Sequence, residues 1–534
     1  MRISRLAGIL LALASLGASG AEPSGAKRPR PAGEAPVPAA RSHPATGLGE
    51  PWEMVRRFAD NLIRHARDTY GPEPTGLFVS QWDIGTQRLL PADTKLYATD
   101  TRGGAGPHMN NLQFDGGLLR LLYGLSEVTG EAQYADAADA YLRHYLANLP
   151  DERGFFPWGD HRGFDLVARE TVGGPHEFKV TYPPWDAMYR INPEAVRRQI
   201  EALKLHIIDE SRSYGFNRHY PPGRLPHSMN SSGGAYIAAW AFLYKKTGER
   251  KYLEWAHGMA DYLWSLRDPR TDLLAAHPYD PAYPEAAASE LAKARASRTE
   301  YMGQIAWYGP NLLRTSLVLG DEEGARFRRQ ALAYYRAFVS RMDVQPDGSF
   351  YATFDLATGK PRFAPITEGW ELTPQVGHPI AWSNGVVGLR ALASLGFAYK
   401  VTRQPELRET FDRLIPLIRM ERFADLDGEP QPIAAGLLAQ VMVGLLNMHQ
   451  ASGDARYLDD AWKLARYAMA HFYRDGWFVC GEPIVPRYRD PQVDVWRTYS
   501  NRGGSNDLAL AVLRVHLVRS GLPDPAEDDV GSHF

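Results

Sequence analysis

The chain has one cysteine, Cys480, among 534 residues, so no internal disulfide can staple it and its folded state must rest on packing. That thiol is expected as a buried small side chain and not as a nucleophile. Beyond the first residues there is no apolar run of about 18 residues, which excludes a membrane-spanning helix in the body. An excess of charge is missing too. The formal net charge is −2, which gives no basic surface for nucleic acid but leaves room for local Arg and Lys clusters facing an acidic polymer. Strand-type alternation is sparse, and no His-Glu-x-x-His helix occurs, which excludes the zinc-protease arrangement.

What is present describes a folded body with many ring surfaces: 44% apolar residues, with 13 Trp and 27 Tyr spread along most of the chain. Arg2 and Arg5, the apolar stretch Leu6 to Leu16 and small residues up to Ala21 predict a cleaved signal peptide over 1–21, hence a periplasmic or secreted protein. No cysteine marks a lipid anchor. Residues 22–50, rich in Pro, Ala and Gly, read as a disordered linker. The folded body is expected over 51–520, with a C-terminal tail over 521–534, and the protein is expected as a monomer.

A recurring unit announces the architecture. "GLLRLLYGLSEVTGEAQYADAADAYLRHYLANL" pairs an apolar helix with a second helix carrying Tyr134, Ala137, Ala138, Tyr141, Leu142, Tyr145 and Leu146 at helical spacing. The same grammar returns at 238–266 and 441–472, with Gly130, Gly248 and Gly453 each suited to end the first helix. Weaker versions stand near "LVLGDEEGARFRRQALAYY" and "LGFAYKVTRQPELRETFDRL". Repeated hairpins either stack into a solenoid or close into a ring. Irregular spacing, and first helices that are apolar almost all round, favour an all-α (α/α) barrel whose long loops build a cleft at one end.

The most polar of those loops is "WGDHRGFDLVARETVGGPHEFK", residues 158–179. It precedes a short helix over 184–191 and then "NPEAVRRQIEALKLHIIDE", with Asn192 as N-cap, Pro193 in the first turn, and Val196, Ile200, Leu203 and Ile207 facing inward. Counting chain reversals brings "SRSYGFNRHYP" back to the same end, so His161, His176, Glu177, Arg218 and His219 are expected to converge. Imidazole and carboxylate together suit a first-row transition metal better than calcium, which wants mostly oxygens.

The wording of "YLRHYLANLPDERGFFPWGDHRGFDLV", "HEFKVTYPPWDAMYRINPEAVRRQI" and "NRHY" resembles polysaccharide lyase family 2, the pectate lyases with an (α/α)7 barrel. In diluted form the likeness runs from residue 54 to about 518. It implies that His161, Glu177 and His219 hold a divalent transition metal (Mn, Ni or Co rather than Ca), that Arg218 is the Brønsted base, and that His176 is no ligand. It further implies β-elimination in homogalacturonan, with Arg162 and Lys179 as cations for substrate carboxylates. An arginine is a demanding base, since its free pKa lies above about 12. The chain departs from the family in a shorter stretch between His161 and Glu177 and in Asp160, which stands where the family has glycine.

Other readings of the same residues remain. A glycoside hydrolase would draw its acid and base from Asp165, Glu177 and Asp186. A uronate C5-epimerase would begin with the same proton abstraction and return a proton. A non-catalytic glycan-binding protein would use Trp158, Trp185 and Tyr220 as stacking surfaces.

Overall fold

In the computed structural model the described residues are 50–96, 106–179, 182–287, 293, 296–300, 302–348, 350–361, 389–482 and 490–526. The predicted signal peptide, and the predicted linker up to residue 49, lie outside them. The helices are α1 (Glu50–Asn61), α2 (Leu112–Thr129), α3 (Ala132–Asn148), α4 (Trp185–Ile191), α5 (Pro193–Ala202), α6 (Asn230–Thr247), α7 (Arg250–Ser265), α8 (Gly309–Val339), α9 (Arg390–Thr402), α10 (Pro405–Leu414), α11 (Ala435–Ser452), α12 (Ala455–Phe472) and α13 (Ser505–Arg519). Strands are confined to short ladders in the loops.

The hairpins predicted from sequence are the organising unit. Gly130, Gly248 and Gly453 sit at φ 74°, 72° and 71°, and each amide returns to a carbonyl of the turn before it at 2.7–2.8 Å. That left-handed conformation is open to glycine at no steric cost, which is why Thr-Gly-Glu and Ser-Gly-Asp mark the turns. Gly320 breaks α8 at φ 82°, so 309–319 and 321–339 are two arms of one hairpin, at the weaker repeat expected there.

Inner and outer helices differ in how they are buried. Every residue of α6 from Asn230 to Leu243, and of α11 from Ala435 to Met448, is buried, as an inner helix packed on all sides requires. By contrast α10 buries only Leu407, Thr410, Phe411 and Leu414, a single stripe. The pairs α2/α3, α4/α5, α6/α7, the arms of α8, α9/α10 and α11/α12 follow one another, and α13 packs on α11, α1 and α2, which closes the ring. Among the described residues that makes seven hairpins, the last formed by α13 with α1. The all-α (α/α) barrel expected from the sequence is the observed fold. Because hairpins alternate in direction, the inner helices run parallel, and their N-termini share one end with the long connections 149–184 and 203–229.

Residues 521–526, expected as part of a tail, belong instead to the ring. Arg514 of α13 is fully buried and needs a counter-charge; Asp524 supplies it at 2.9 Å. Burial pushes the Asp524 carboxyl up, but Arg514 outweighs this and holds it below the usual range. Cys480 is buried as expected, its Sγ 3.4 Å from the Val495 carbonyl. No helix among the described residues is long and apolar enough to cross a membrane.

Two constraints on stability follow. Inner helices α9 and α11 touch backbone to backbone: a Cβ at Gly396 would lie 2.5 Å from the Gly444 carbonyl oxygen. Gly396→Ala is therefore expected to cost roughly 1–3 kcal/mol, read as a lower urea midpoint with an unchanged slope. At the closing seam, Asp115 of α2 is fully buried and accepts hydrogen bonds from Asn110 Nδ2 (2.9 Å), Tyr141 Oη (2.7 Å) and Asn501 Nδ2 (2.7 Å). Burial, only partly offset by these donors, pushes its carboxyl up to about 7. A raised folded pKa means stability that is complete below the unfolded value of about 4 and is lost as pH rises through the folded one. The melting temperature of the unsubstituted chain, minus that of Asp115→Asn, should thus fall between pH 5 and pH 8; a flat difference would contradict the assignment.

Candidate metal centre

Two connections that reach the same end of the ring meet in a ladder of two residues per strand, with His176 opposite Tyr220 and Glu177 opposite His219. Directly opposed residues share a face and successive residues alternate. Glu177 and His219 therefore point together, while His176 and Tyr220 point the other way and pack on Phe155, at 4.2 and 4.9 Å between ring centroids. The Glu177 amide lies 3.4 Å from the Trp158 carbonyl, so segment 158–161 runs beside the ladder and delivers His161.

That segment is held from several helices. Asn111, which caps α2 through the Gln113 amide (3.0 Å), donates from Nδ2 to the carbonyls of Gly159 (2.8 Å) and Arg162 (3.0 Å), on either side of Asp160 and His161. Tyr145 Oη donates to Pro157 O at 2.7 Å, and Gln199 Oε1 accepts from Phe156 N at 2.7 Å.

His161, Glu177 and His219 each offer a donor atom, and these atoms lie within 4.8 Å of one another. His161 Nε2 is 3.9 Å from Glu177 Oε2, His219 Nε2 is 3.5 Å from Oε1, and the two imidazoles stand edge to face at 5.0 Å. The His219 Nε2 atom is buried and makes no hydrogen bond of ordinary geometry, although the ring carries it against a carboxylate. A buried donor nitrogen left in this way, beside a second imidazole and an anionic oxygen, fits a first-row transition metal.

The cations are placed as tightly as the donors. Arg218 NH1 donates to Glu177 Oε1 at 2.5 Å, and Lys179 Nζ stands 3.0 Å from Glu177 Oε2 and 3.0 Å from Asp160 Oδ2. Burial pushes the Glu177 carboxyl up, but Lys179 first, then His219 and Arg218, outweigh it and hold it well below the glutamate range. Asp160 is likewise raised by burial and brought below its usual value by Lys179 and Arg502.

The remaining sequence candidates lie elsewhere. His176 is fully buried, its Nδ1 3.1 Å from His206 Nε2, and burial pushes both imidazoles down, His206 to about 4. Arg162 is turned to Asp151, 3.3 Å away, and not to the cluster. Asp165 caps a turn through the amides of Val167 and Ala168 (2.8 and 2.9 Å), and Asp186 is exposed beside Lys246 at 2.6 Å. Asp165 and Asp186 thus have local partners of their own that Glu177 does not share. Trp158 and Trp185 are core residues at 0% and 1% exposure, which removes two of the three stacking surfaces proposed for a glycan binder. His227, which no motif announced, extends the row from His219 (6.0 Å) to His277 (5.3 Å).

Fold and cluster together are a ring of helical hairpins whose loops bring two imidazoles and a carboxylate within reach of one another. Over residues 94–231, which include His161, Glu177, Arg218 and His219, the chain matches the family described as periplasmic pectate lyase. It is 22% identical over 489 residues to the pectate disaccharide-lyase of Dickeya dadantii (strain 3937), covering 80% of this chain and 83% of that one. Both likenesses point to pectate lyases, the first over about a quarter of the chain and the second at low identity. Among solved structures, the unsaturated glucuronyl hydrolase of Bacillus sp. GL1 aligns at 15% identity and a TM-score of 0.46, over 87% of this chain and 96% of that one. A sugar epimerase from a ruminal bacterium aligns at 14% identity and 0.46, over 89% and 99%.

His219→Ala and Glu177→Gln are expected to weaken Mn(II) binding, followed by electron paramagnetic resonance of the free ion, by at least about 100-fold. Equal titrations of the variants and the unsubstituted chain would remove the metal assignment.

Proposed function

We propose that the chain is a polysaccharide lyase that cleaves homogalacturonan by metal-assisted β-elimination outside the cytoplasm. The observation that carries this reading is the meeting of His161, Glu177 and His219 with Arg218 beside them, inside the stretch that matches the pectate lyase family. The curated relative named pectate disaccharide-lyase supports the same substrate class.

His161, Glu177 and His219 would hold the ion, with Mn, Ni or Co fitting the mixed donor set better than Ca. A bound divalent cation would neutralise a uronate carboxylate and favour the charge that develops next to it as the C5 proton leaves. Arg218, as neutral guanidine, takes that proton and becomes guanidinium, and a divalent cation bound nearby would favour the neutral form beforehand; the C5–H electron pair becomes the C4–C5 double bond as the bond from C4 to the glycosidic oxygen breaks, and that oxygen takes a proton from water. The products are a new reducing end and a 4,5-unsaturated sugar. Glu177 positions the Arg218 side chain through NH1, and Lys179 pairs with the other oxygen of Glu177. Asp160, buried against Lys179, prevents that ammonium from wandering.

Purified protein with Mn(II) should generate ultraviolet absorbance of unsaturated product from polygalacturonate. A chelator should abolish the signal, and Arg218→Ala should lower it by roughly 10²–10⁴-fold. No absorbance with any of the three metals would sink the lyase reading. Exchange of the C5 proton in heavy water without unsaturation would move the assignment to an epimerase.

A further inference from the structure

Behind the ladder that presents Glu177 and His219 lies a line of three polar side chains with no part in the chemistry above: Gln199 of α5, His176, and His206 at the end of the turn Leu203–His206. All three are fully buried. Their surroundings are rings, with Phe155 centred 4.2 Å from His176 and 5.5 Å from His206, and Tyr236 of α6 centred 5.4 Å from His206. Polar groups in such a place must satisfy one another or find backbone.

Both ends of the line are backbone groups, and these fix every proton along it. The Phe156 amide donates to Gln199 Oε1 at 2.7 Å, so the Gln199 amide nitrogen is the atom turned to His176 Nε2, 3.5 Å away. A ring nitrogen facing that donor accepts, which leaves the proton of His176 on Nδ1. His176 Nδ1 stands 3.1 Å from His206 Nε2, and His206 Nδ1 stands 2.8 Å from the Asn217 carbonyl oxygen. A carbonyl only accepts, so His206 also carries its proton on Nδ1, and its Nε2 receives His176. Worked from either end the assignment is the same: Phe156 to Gln199, Gln199 to His176, His176 to His206, His206 to Asn217.

The carbonyl that ends the line belongs to the residue before Arg218. Asn217 is tied further, its amide donating to His206 O at 3.0 Å, its Oδ1 accepting from the His219 amide at 3.0 Å, and its Nδ2 donating to Pro222 O at 2.6 Å. Through this one residue His206 reaches both Arg218 and His219. On its other side it reaches His176, which directly precedes Glu177 in the opposite strand. A ladder of two residues per strand has little stiffness of its own, so a tie of this kind sets how His219 meets Glu177.

We infer that His206 is a positioning residue: held by His176 with its proton on Nδ1, it fixes the Asn217 carbonyl and thereby places Arg218 and His219 against Glu177 before an ion arrives. What Arg218 and the ion then do rests on the lyase reading; the line of hydrogen bonds does not.

The test uses the full chain. In the metal-free, 15N-histidine-labelled protein at neutral pH, long-range 1H–15N correlation should show the Nδ1–H tautomer for both imidazoles, assigned by signals lost in His176→Asn and His206→Asn. An asparagine side chain places its amide nitrogen near Nδ1, and a glutamine near Nε2. His206→Asn therefore keeps the bond to Asn217, while His206→Gln keeps only the contact with His176. Each variant loses one buried hydrogen bond and should lower the melting temperature to a similar degree. Mn(II) affinity, followed by electron paramagnetic resonance of the free ion, should separate them: about 10-fold weaker in His206→Gln, and within about 3-fold of the unsubstituted chain in His206→Asn. Equal affinities in the two variants, the signature of packing alone, would overturn the inference. So would an Nε2–H tautomer at either imidazole, or no Mn(II) binding by the unsubstituted chain. If the affinities separate as expected but the unsubstituted chain releases no unsaturated product from polygalacturonate, the lyase reading fails and the positioning role stands.

Discussion

A glutamate that is wholly buried and still ionised sets the terms for everything around it. Taking a carboxylate out of water costs several kcal/mol even after relaxation, and the cost is offset only where opposite charge and hydrogen bonds are supplied at close range. Glu177 receives Arg218 on one oxygen and Lys179 on the other, with His219 beside the first. Lys179 is itself buried and must be held, which accounts for Asp160. Each group is therefore the condition for the next. The cluster behaves as one unit, and the contribution of any member cannot be separated from the rest by a single deletion.

A ladder of two residues per strand would not persist alone in water. Here its outer face is core: Phe155, His176, His206 and Tyr220 fill the space behind Glu177, and burial keeps the two imidazoles neutral. Asn111, Tyr145 and Gln199, from three different helices, hold the segment that carries His161. The chemistry sits on loops, but the loops are fixed by the first hairpins of the ring.

The hairpins were legible in the sequence because their signals are local: a glycine in the left-handed region, and apolar residues at helical spacing within some thirty positions. The Asn192 cap and Pro193 were legible for the same reason, and the Asn192 side chain accepts from the Ala195 amide as expected. Residue types alone put His176 with the other candidates, because 176–177 reads as loop and only a strand separates neighbours onto opposite faces; family wording, not spacing, set it apart. Lys179 read as a free cation because its partner Asp160 lies nineteen residues away, across a turn. Asn111 had no signal at all, since what it does depends on a segment some fifty residues away that is brought beside it only in the folded chain. The six residues after 520 looked like a tail since Asp and Pro are typical of one, whereas the buried Arg514 that recruits Asp524 is visible only in space.

The parallel course of the inner helices has one more consequence. Each helix carries roughly half a positive charge at its N-terminus, an effect confined to about the first turn. Among the described residues α2, α6, the first arm of α8, α9, α11 and α13 all begin at the end where Glu177 lies. A formal net charge of −2 is a property of the whole chain; the helix N-termini at that end add a positive contribution that an anion within about a turn of them meets, supplied by backbone dipoles that do not titrate.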